Sequence, residues 1–214
     1  MMKEISMKKG KFIVFEGIDG SGKTTQARLL SEYLEGRGYK TALTAEPTAL
    51  PSGKALREAL SGKTPKSECQ MAVMFVDDRI AHNTHPTEGI AALLEAGVTV
   101  ICDRYYYSSL AYQGQSTDYE WVKSMNLKCP DIRQPDLCIY VDLLPEQSLE
   151  RIAKGRETVE IYENLSTLTK VREQFLSVIR DLGERDNICI LDGYRTAEQV
   201  SADVKAIVDA LLAK

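Results

Sequence analysis

The chain has 214 residues, of which 43% are hydrophobic and 27% charged, with a formal net charge of -4 at pH 7. This composition is typical of a folded globular protein, and its acidic balance excludes an overall basic field for nucleic acid. None of the five cysteines forms a C-x-x-C pair, and the first residues lack the apolar segment of a signal peptide. No run approaches the roughly 18 apolar residues that span a bilayer. We therefore expect one cytoplasmic domain over residues 1–214, with no nucleic-acid or membrane partner.

The first predicted strand, residues 12–15, leads directly into a glycine-rich loop. Its sequence FIVF is a short apolar run typical of a buried strand, and helix-forming residues follow from position 26. Between them, residues 17–24 fit the pattern G-x-x-x-x-G-K-[ST], in the strand–loop–helix context that this pattern requires. We call this loop the cradle. The residues expected to hold a nucleotide are Gly17, Ile18, Asp19, Gly20, Ser21, Gly22, Lys23, Thr24 and Thr25.

The chemistry of the cradle predicts a nucleoside triphosphate with Mg²⁺. Glycines allow backbone N–H groups to turn toward phosphate oxygens, beside the positive end of the following helix. Lys23 can neutralise the β- and γ-phosphates, and the hydroxyl of Thr24 can bind Mg²⁺. By itself this motif is equally consistent with a kinase, an ATPase and a GTPase.

Further along the chain, predicted strands alternate with predicted helices. The strands are residues 40–44, 98–102, 136–141 and 187–191, and the helices are 53–60, 68–82, 89–96 and 197–212. This alternation predicts an α/β fold with a five-stranded parallel sheet and helices on both faces, and ligands bind beyond the carboxyl ends of such strands. The polar residues expected there are Asp19, Glu46, Asp103, Arg104, Asp142 and Asp192.

A second functional segment follows the third predicted strand. Asp103 ends an apolar run, where P-loop enzymes usually hold Mg²⁺ through water. Arg104 directly after it suits an enzyme that must hold a second phosphate near the first. For Tyr106 and Tyr107 we expect simple core packing, because aromatic side chains are often buried.

Taken together, these segments resemble those of thymidylate (dTMP) kinases. The resemblance rests on the cradle, on D-R-Y at 103–105, on S-S at 108–109 and on A-Y-Q at 111–113. It extends over most of the chain and includes F-x-x-x-R at 75–79, E-P at 46–47, P-D-L at 135–137 and Y-V-D-L at 140–143. The resemblance implies a P-loop kinase that phosphorylates dTMP to dTDP with Mg-ATP for dTTP synthesis. It also implies a homodimer formed by the helices around residues 55–95.

The resemblance assigns roles in binding the base and sugar. Phe75 would stack on thymine, and Arg79 or Gln113 would meet the edge of the base. Tyr112 would occupy the space of a ribose 2′-OH and so favour deoxyribose. The positions assigned to dTMP in all are Pro47, Phe75, Arg79, Arg104, Ser109, Tyr112 and Gln113.

The resemblance also assigns catalytic and metal-binding roles. Arg79 and Arg104 would hold the dTMP phosphate, and Asp19 would lie near the sugar 3′-OH and the transferring group. Mg²⁺ would be bound by Thr24 and, through water, by Asp103. The catalytic residues expected on this basis are Asp19, Lys23, Arg104 and Arg156.

Two of these residues have simpler alternatives. Phe75 lies at helical spacing from Met71 and Met74, as a core residue would. Arg79 follows two aspartates and could form a solvated ion pair, which would contribute less than about 1 kcal/mol.

The source of the catalytic arginine is predicted to be a mobile lid over residues 151–165. Some members of the family carry a basic residue within the loop, where this chain has Gly20. The candidates are Arg151, Lys154 and Arg156. Arg156 is favoured because Gly155 lets the backbone swing, whereas Arg151 and Lys154 could instead belong to a solvated helix face.

The chain departs from the family pattern in two places. Ala45 stands where many relatives have arginine before E-P, so one phosphate contact is either missing or supplied by Arg57. The predicted lid also holds three glutamates, at positions 157, 160 and 163. Both departures bear on the rate more than on the class of reaction.

Three other functions stay open at this point. The chain could be another small P-loop kinase for a deoxynucleotide or nucleoside, although Arg104 favours a substrate that already carries phosphate. It could be a nucleotide-dependent ATPase that moves a partner, or a weakly active nucleotide-binding paralogue. A guanine-specific switch would need N-K-x-D, which the sequence lacks.

Overall fold

The computed structural model describes residues 9–155 and 164–213, apart from the side chains of residues 154 and 155. Five strands form one sheet in the order β2-β3-β1-β4-β5, and every neighbouring pair is parallel. The strands are β1 (Phe12–Glu16), β2 (Thr41–Ala45), β3 (Thr99–Asp103), β4 (Leu137–Asp142) and β5 (Ile188–Asp192). The predicted five-stranded parallel sheet is therefore confirmed.

Four of the strands end in an acidic residue, and three of these acids, Asp103, Asp142 and Asp192, were placed just beyond an apolar run by the sequence. The backbone ladder continues through these acids, because Phe15 is in register with Asp103 and Asp142 with Asp192. Side-chain polarity does not end a strand at the carboxyl edge, where the side chain can reach solvent or a ligand. The result is a row of carboxylates along this edge, which includes Glu16 at the end of β1.

The core has two layers because alternate residues of β1 point to opposite faces of the sheet. Phe12 and Val14 join one hydrophobic cluster, which α-helices from the middle of the chain cover. Ile13 and Phe15 join the other, together with Leu30 from the first helix. All five positions of β1 are buried, as expected for a central strand covered on both faces.

Helices lie on both faces of the sheet, as predicted. In chain order they are α1 (Lys23–Gly36), α2 (Pro51–Leu60), α3 (Glu68–Thr84), α4 (Ile90–Glu95), α5 (Tyr106–Ser116), α6 (Tyr119–Leu127), α7 (Pro145–Gly155), α8 (Leu165–Leu182) and α9 (Ala197–Leu212). Ser67 and Thr196 begin α3 and α9 with capping boxes. Within the described ranges, no helix is both long and apolar enough to cross a membrane.

Helices α5, α6, α7 and α8 were not predicted from the sequence. Helix α5 begins with aromatic residues of low helix propensity, which become helical because they are buried. Tyr106 and Tyr107 are both buried, as expected, and their hydroxyls donate to Oδ2 of Asp186 at 2.5 and 2.8 Å. In α8 the buried residues fall three or four positions apart, a periodicity that the sequence already contained.

The predicted lid can be compared with the structure only at its ends. Residues 151–155 continue α7, which begins before them at Pro145, and α8 begins at Leu165. Arg156 lies outside the described residues, as do the three lid glutamates. The assignment of the catalytic arginine to Arg156 therefore stays a prediction.

Candidate active site

The cradle turns tightly between β1 and the first residue of α1. Gly17 has a φ of 146°, and a Cβ there would lie 2.6 Å from the carbonyl oxygen of Val141. The Nζ of Lys23 donates to the carbonyl of Ile18 at 3.0 Å and is nearly buried. Burial, reinforced by the positive charge of Arg104, lowers the pKa of Lys23 to about 8. A bound polyanion would reverse this effect, so the cradle suits phosphate.

The metal site predicted from the sequence is brought together by the pairing of β1 with β3. Thr24 donates its hydroxyl hydrogen to Oδ2 of Asp103 at 2.5 Å. The other oxygen, Oδ1 of Asp103, is buried and has no hydrogen-bond partner among the described residues. Hydroxyl and carboxylate oxygens are ligands that Mg²⁺ accepts, usually with several waters. The two residues therefore fit Mg²⁺, and no cage of three or more His, Cys, Asp or Glu occurs in the described part of the chain.

Arg104 is held in an unusual backbone conformation at the end of β3. Its φ is 69°, in the left-handed region that residues other than glycine seldom adopt. Its Nη2 donates to Oδ1 of Asp19 at 2.5 Å, and its Nη1 donates to Oγ of Ser108 at 3.0 Å. The guanidinium also lies 5.5 Å from the ring centre of Tyr112. These contacts place Arg104 between the cradle and α5.

Arg79 is buried, so the alternative of a solvated ion pair with the preceding aspartates is wrong. Its Nε donates to Oε2 of Glu46 at 2.8 Å, and its Nη2 lies 2.6 Å from the same oxygen in an ion pair whose two side chains are almost fully buried. Its Nη1 donates to Ser109 at 3.1 Å and to Asn126 at 2.5 Å. With these three hydrogen bonds made, Nη2 is the one guanidinium nitrogen that makes no hydrogen bond to a described residue.

Phe75 combines the two roles that the sequence left open. It is half-buried and packs against the small cluster of Leu56, Ala59 and Met71. It also lines a cavity, described below, together with Arg79. One ring can do both because packing holds its inner side and leaves the other side open to the cavity.

Two cavities open at the carboxyl edge of the sheet. The cradle cavity, of about 740 Å³, is lined by the loop, by α7 and by residues 193–197. The Arg79 cavity, of about 580 Å³, is lined by α2, α3 and α5. Asp19, Glu46 and Arg104 line both cavities. A group held in one cavity can therefore reach a group held in the other beside these three residues.

Helix α7 rests directly on the cradle. The hydroxyl of Ser148 donates to the backbone carbonyl of Asp19. Gly20 has a φ of 73°, and a Cβ there would lie 2.9 Å from the Ser148 carbonyl and 3.2 Å from Ile152. The chain therefore has no room for a basic side chain at position 20 unless α7 moves.

Arg151 extends this contact, so a solvated role for it is also wrong. Its Nη2 donates to the carbonyl of Gly193 at 2.7 Å, and its Nη1 lies 3.4–3.5 Å from the carbonyls of Gly20 and Ser21. Arg151 thus connects the cradle to the loop after β5. Lys154, the neighbouring candidate, has a side chain outside the described residues.

The structure brings together most of the residues singled out from the sequence. From Asp19 to Thr25 every residue of the predicted set lines the cradle cavity. The predicted residues that line the Arg79 cavity are Pro47, Phe75, Arg79, Arg104, Tyr112 and Gln113. Ser109 does not line it but holds Arg79, and Arg57 lines it while donating to the carbonyl of Pro47 at 2.8 Å.

Sequence reasoning missed several residues that shape the site. Asn126 was not expected there, and nothing local to it indicates its contact with Arg79. Arg151 was a candidate from the lid, but its contact with the loop after β5 was not expected. Glu16 was also missed, although it left a signal, since it is an acid at the end of an otherwise apolar strand. Gly193 follows the acid of β5, which the sequence had already placed at the ligand edge.

Comparison with known proteins agrees with this geometry. The family model for thymidylate kinase matches residues 15–204. A probable thymidylate kinase of Methanococcus aeolicus is 39% identical over 93% of this chain and 96% of its own length. One from Pyrococcus horikoshii is 39% identical over 94% of this chain and 96% of its own, and a thymidylate kinase of Leptospira borgpetersenii is 37% identical over 82% and 84%. The chain therefore belongs to the thymidylate kinase family, whose members are enzymes that phosphorylate dTMP.

Proposed function

We propose that this chain transfers the γ-phosphoryl group of Mg-ATP to the phosphate of dTMP, giving ADP and dTDP for dTTP synthesis. The observation that carries the proposal is the shared wall of the two cavities. ATP would occupy the cradle cavity and dTMP the Arg79 cavity, so that their phosphates meet beside Asp19, Glu46 and Arg104. A phosphoryl transfer between two nucleotides needs such a meeting point, because catalysis rests on in-line positioning and on neutralising charge.

On the ATP side, the backbone amides of the cradle and Lys23 would bind the phosphates. The cradle cavity is also lined by Arg151, Ile152, Ala197 and Val200, which belong to α7 and α9 and not to the loop. A planar guanidinium and apolar walls suit the faces of a purine, so we place adenine there.

Thr24 and Asp103 would hold Mg²⁺, the latter through water. The support for this is the short contact between them and the buried, unpartnered Oδ1 of Asp103. When bound, the ion neutralises charge on the transferring phosphoryl group.

On the dTMP side, Phe75 would stack on thymine and Tyr112 would crowd the 2′ position of the sugar. Arg79 suits the base edge better than the phosphate, because Glu46 already neutralises it and only its Nη2 nitrogen is left to donate. A lone donor matches a carbonyl oxygen of thymine and rejects the amino group of cytosine. Gln113, which is nearly buried in the same cavity, would bind another polar atom of the base edge.

Arg104 is the better partner for the acceptor phosphate. It is partly accessible, it lines both cavities, and its two bonded nitrogens leave N–H groups for a ligand. A phosphate monoester has a second pKa near 6, so dTMP is largely dianionic at neutral pH. Its oxygen can then attack without a general base, and the residues need only align the reactants and exclude water.

The remaining positive charge would come from the lid, with Arg156 as the candidate. The support is the contact between α7 and the cradle at Gly20, which leaves no space for a basic side chain within the loop. Arg57, which lines the Arg79 cavity, would compensate for Ala45 on the dTMP side.

The direct test is a coupled assay of ADP release with dTMP, dUMP, dCMP, dGMP and UMP as acceptors. The expected result is turnover with dTMP that exceeds turnover with dCMP and with the purine nucleotide. Absence of dTMP-dependent ADP release would reject the proposal. Faster turnover with dCMP would reject the role given to Arg79.

We also propose a homodimer formed through the helices around residues 55–95. Val73 on α3 supports this, since it is an apolar residue with 49% of its surface exposed. Light scattering at micromolar concentration should give twice the mass of the 23.9 kDa chain. In Val73→Lys a charge on this face should shift the mass toward that of a single chain, and an unchanged mass would place any interface elsewhere.

A further inference from the structure

The end of β1 carries a buried carboxylate that none of the roles above uses. Glu16 has no exposed surface and directly precedes the cradle. Burial raises the pKa of Glu16, against the opposing influence of Arg104 and of its hydrogen bonds. A buried carboxylate is costly unless hydrogen bonds and nearby positive charge compensate for it, so its partners indicate its purpose.

Glu16 caps the start of α5. Its Oε1 accepts the backbone N–H of Tyr105 at 2.8 Å and that of Ser108 at 3.1 Å. The residue at the cap position of α5, Tyr105, makes no such bond with its own side chain. Glu16, which lies in β1, therefore does for α5 what a capping residue of the helix itself would do. The positive end of the helix dipole stabilises the negative charge of Glu16.

The second oxygen of Glu16 connects it to Arg104. The hydroxyl of Ser108 donates its hydrogen to Oε2 of Glu16 at 2.7 Å. Because the hydroxyl hydrogen points to Glu16, the oxygen of Ser108 can accept a hydrogen bond from Nη1 of Arg104, at 3.0 Å. The chain of bonds runs from the carboxylate through one serine to the guanidinium.

Arg104 needs such support because its backbone is strained. A left-handed conformation costs a residue other than glycine about 1–2 kcal/mol, so neighbouring contacts must hold it. Its backbone N–H donates to Phe15 at 2.9 Å, the residue before Glu16. The end of β1 thus holds both the backbone and, through Ser108, the side chain of Arg104.

We propose that Glu16 is a positioning residue that fixes the guanidinium of Arg104 for the phosphate of the acceptor nucleotide. This inference rests on the proposed placement of that phosphate beside Arg104. A purely structural role, in which Glu16 only anchors α5, is the alternative that the test must separate.

The test compares dTMP with thymidine, which has the same base and sugar but no phosphate. Glu16→Gln keeps an oxygen for the two N–H groups but turns an NH₂ toward Ser108, which competes with Arg104 for the serine oxygen. We expect the KM for dTMP to rise about 10-fold or more, as for the loss of a charge-assisted hydrogen bond. The inhibition constant of thymidine and the KM for ATP should change less than about 2-fold.

Asp186→Asn is the matched control. Asp186 is also a buried carboxylate that accepts hydrogen bonds from the first turn of α5, through Tyr106 and Tyr107. It makes no described contact with Ser108 or Arg104. This variant should lower the melting temperature while leaving the ratio of the thymidine inhibition constant to the dTMP KM unchanged.

Two results would overturn the inference: an equal loss of dTMP and thymidine binding in Glu16→Gln, or no loss of either. Should Glu16→Gln fail to fold, Ser108→Ala removes the link and keeps Glu16, and an unchanged dTMP-to-thymidine ratio there overturns the inference as well. Where both variants fold, the double variant Glu16→Gln/Ser108→Ala should have the same dTMP-to-thymidine ratio as Ser108→Ala alone. A wild-type protein that binds thymidine but not dTMP would instead reject the proposed function.

Discussion

The contact between α7 and the cradle predicts a specific effect of one added methyl group at position 20. In Gly20→Ala the new Cβ would lie 2.9 Å from the carbonyl oxygen of Ser148, a backbone atom that cannot move without its helix. Alanine must also adopt the φ of 73° that Gly20 has, or change the shape of the loop. Both effects act at the point where the phosphates of ATP would bind.

The size of the effect follows from two terms. The left-handed backbone costs about 1–2 kcal/mol in any residue other than glycine. Displacing α7 breaks the hydrogen bond from Ser148 to Asp19, which contributes about 0.5–1.5 kcal/mol. The free energy of unfolding should fall by about 1.5–3.5 kcal/mol. The KM for ATP should rise about 10-fold for each 1.4 kcal/mol by which the distorted loop weakens ATP binding.

Gly38→Ala separates the two terms. Gly38 has a similar φ of 85°, but no atom lies within 4 Å of a Cβ at that position. Urea unfolding of this variant should show only the backbone term, with an unchanged KM for ATP. Equal unfolding free energies for the two variants, with an unchanged KM for ATP in Gly20→Ala, would refute the claim that α7 rests on the cradle.

Four further predictions concern the reacting groups. The pKa of Lys23 near 8 must rise when phosphate binds, so Mg-ATP binding should take up a proton above pH 8 and weaken by up to about 10-fold per pH unit. Calorimetry in two buffers of different ionisation enthalpy measures this, and zero uptake at pH 9 contradicts it. Asp103→Asn should raise the Mg²⁺ concentration for half-maximal activity about 10-fold with the KM for dTMP unchanged; an unchanged Mg²⁺ titration would remove Asp103 from the metal site. Because of Tyr112, kcat/KM for UMP should be at least about 10-fold below that for dUMP, which differs only by the 2′-OH; equal values would show that Tyr112 does not exclude ribose. Arg156→Ala should lower kcat by about 10³-fold or more with little change in either KM, and full kcat would exclude it as the catalytic arginine.

The strands and the cradle could be predicted because their causes are local. A short apolar run bounded by turn residues is typical of a buried strand, and a glycine-rich loop with this fixed spacing adopts one common shape. The helix after Arg104 was missed for the opposite reason. Tyr106 and Tyr107 disfavour a helix by propensity, and only distant Asp186 and the core around them make it stable.

The same division holds for the candidate site. The type of residue identified Lys23, Thr24 and Arg104, because few side chains can do what a phosphate site requires. The environment of Arg79 could not be predicted, since Glu46 lies 33 positions away and Asn126 lies 47 positions away. Burial among these partners excludes the alternative of a surface ion pair for Arg79 and makes the residue part of the cavity wall.

The central position of β1 determines when this sheet can form during synthesis. β1 pairs with β3 and β4 but not with β2, its nearest strand in the chain. At about 5–20 residues per second, the ribosome delivers β3 on the order of 5–20 seconds after β1. Until then β1 and β2 cannot join one sheet, because β3 lies between them, and the cradle lacks Asp103. An amino-terminal fragment ending before Thr99 should therefore bind no nucleotide and should depend on chaperones to stay out of aggregates.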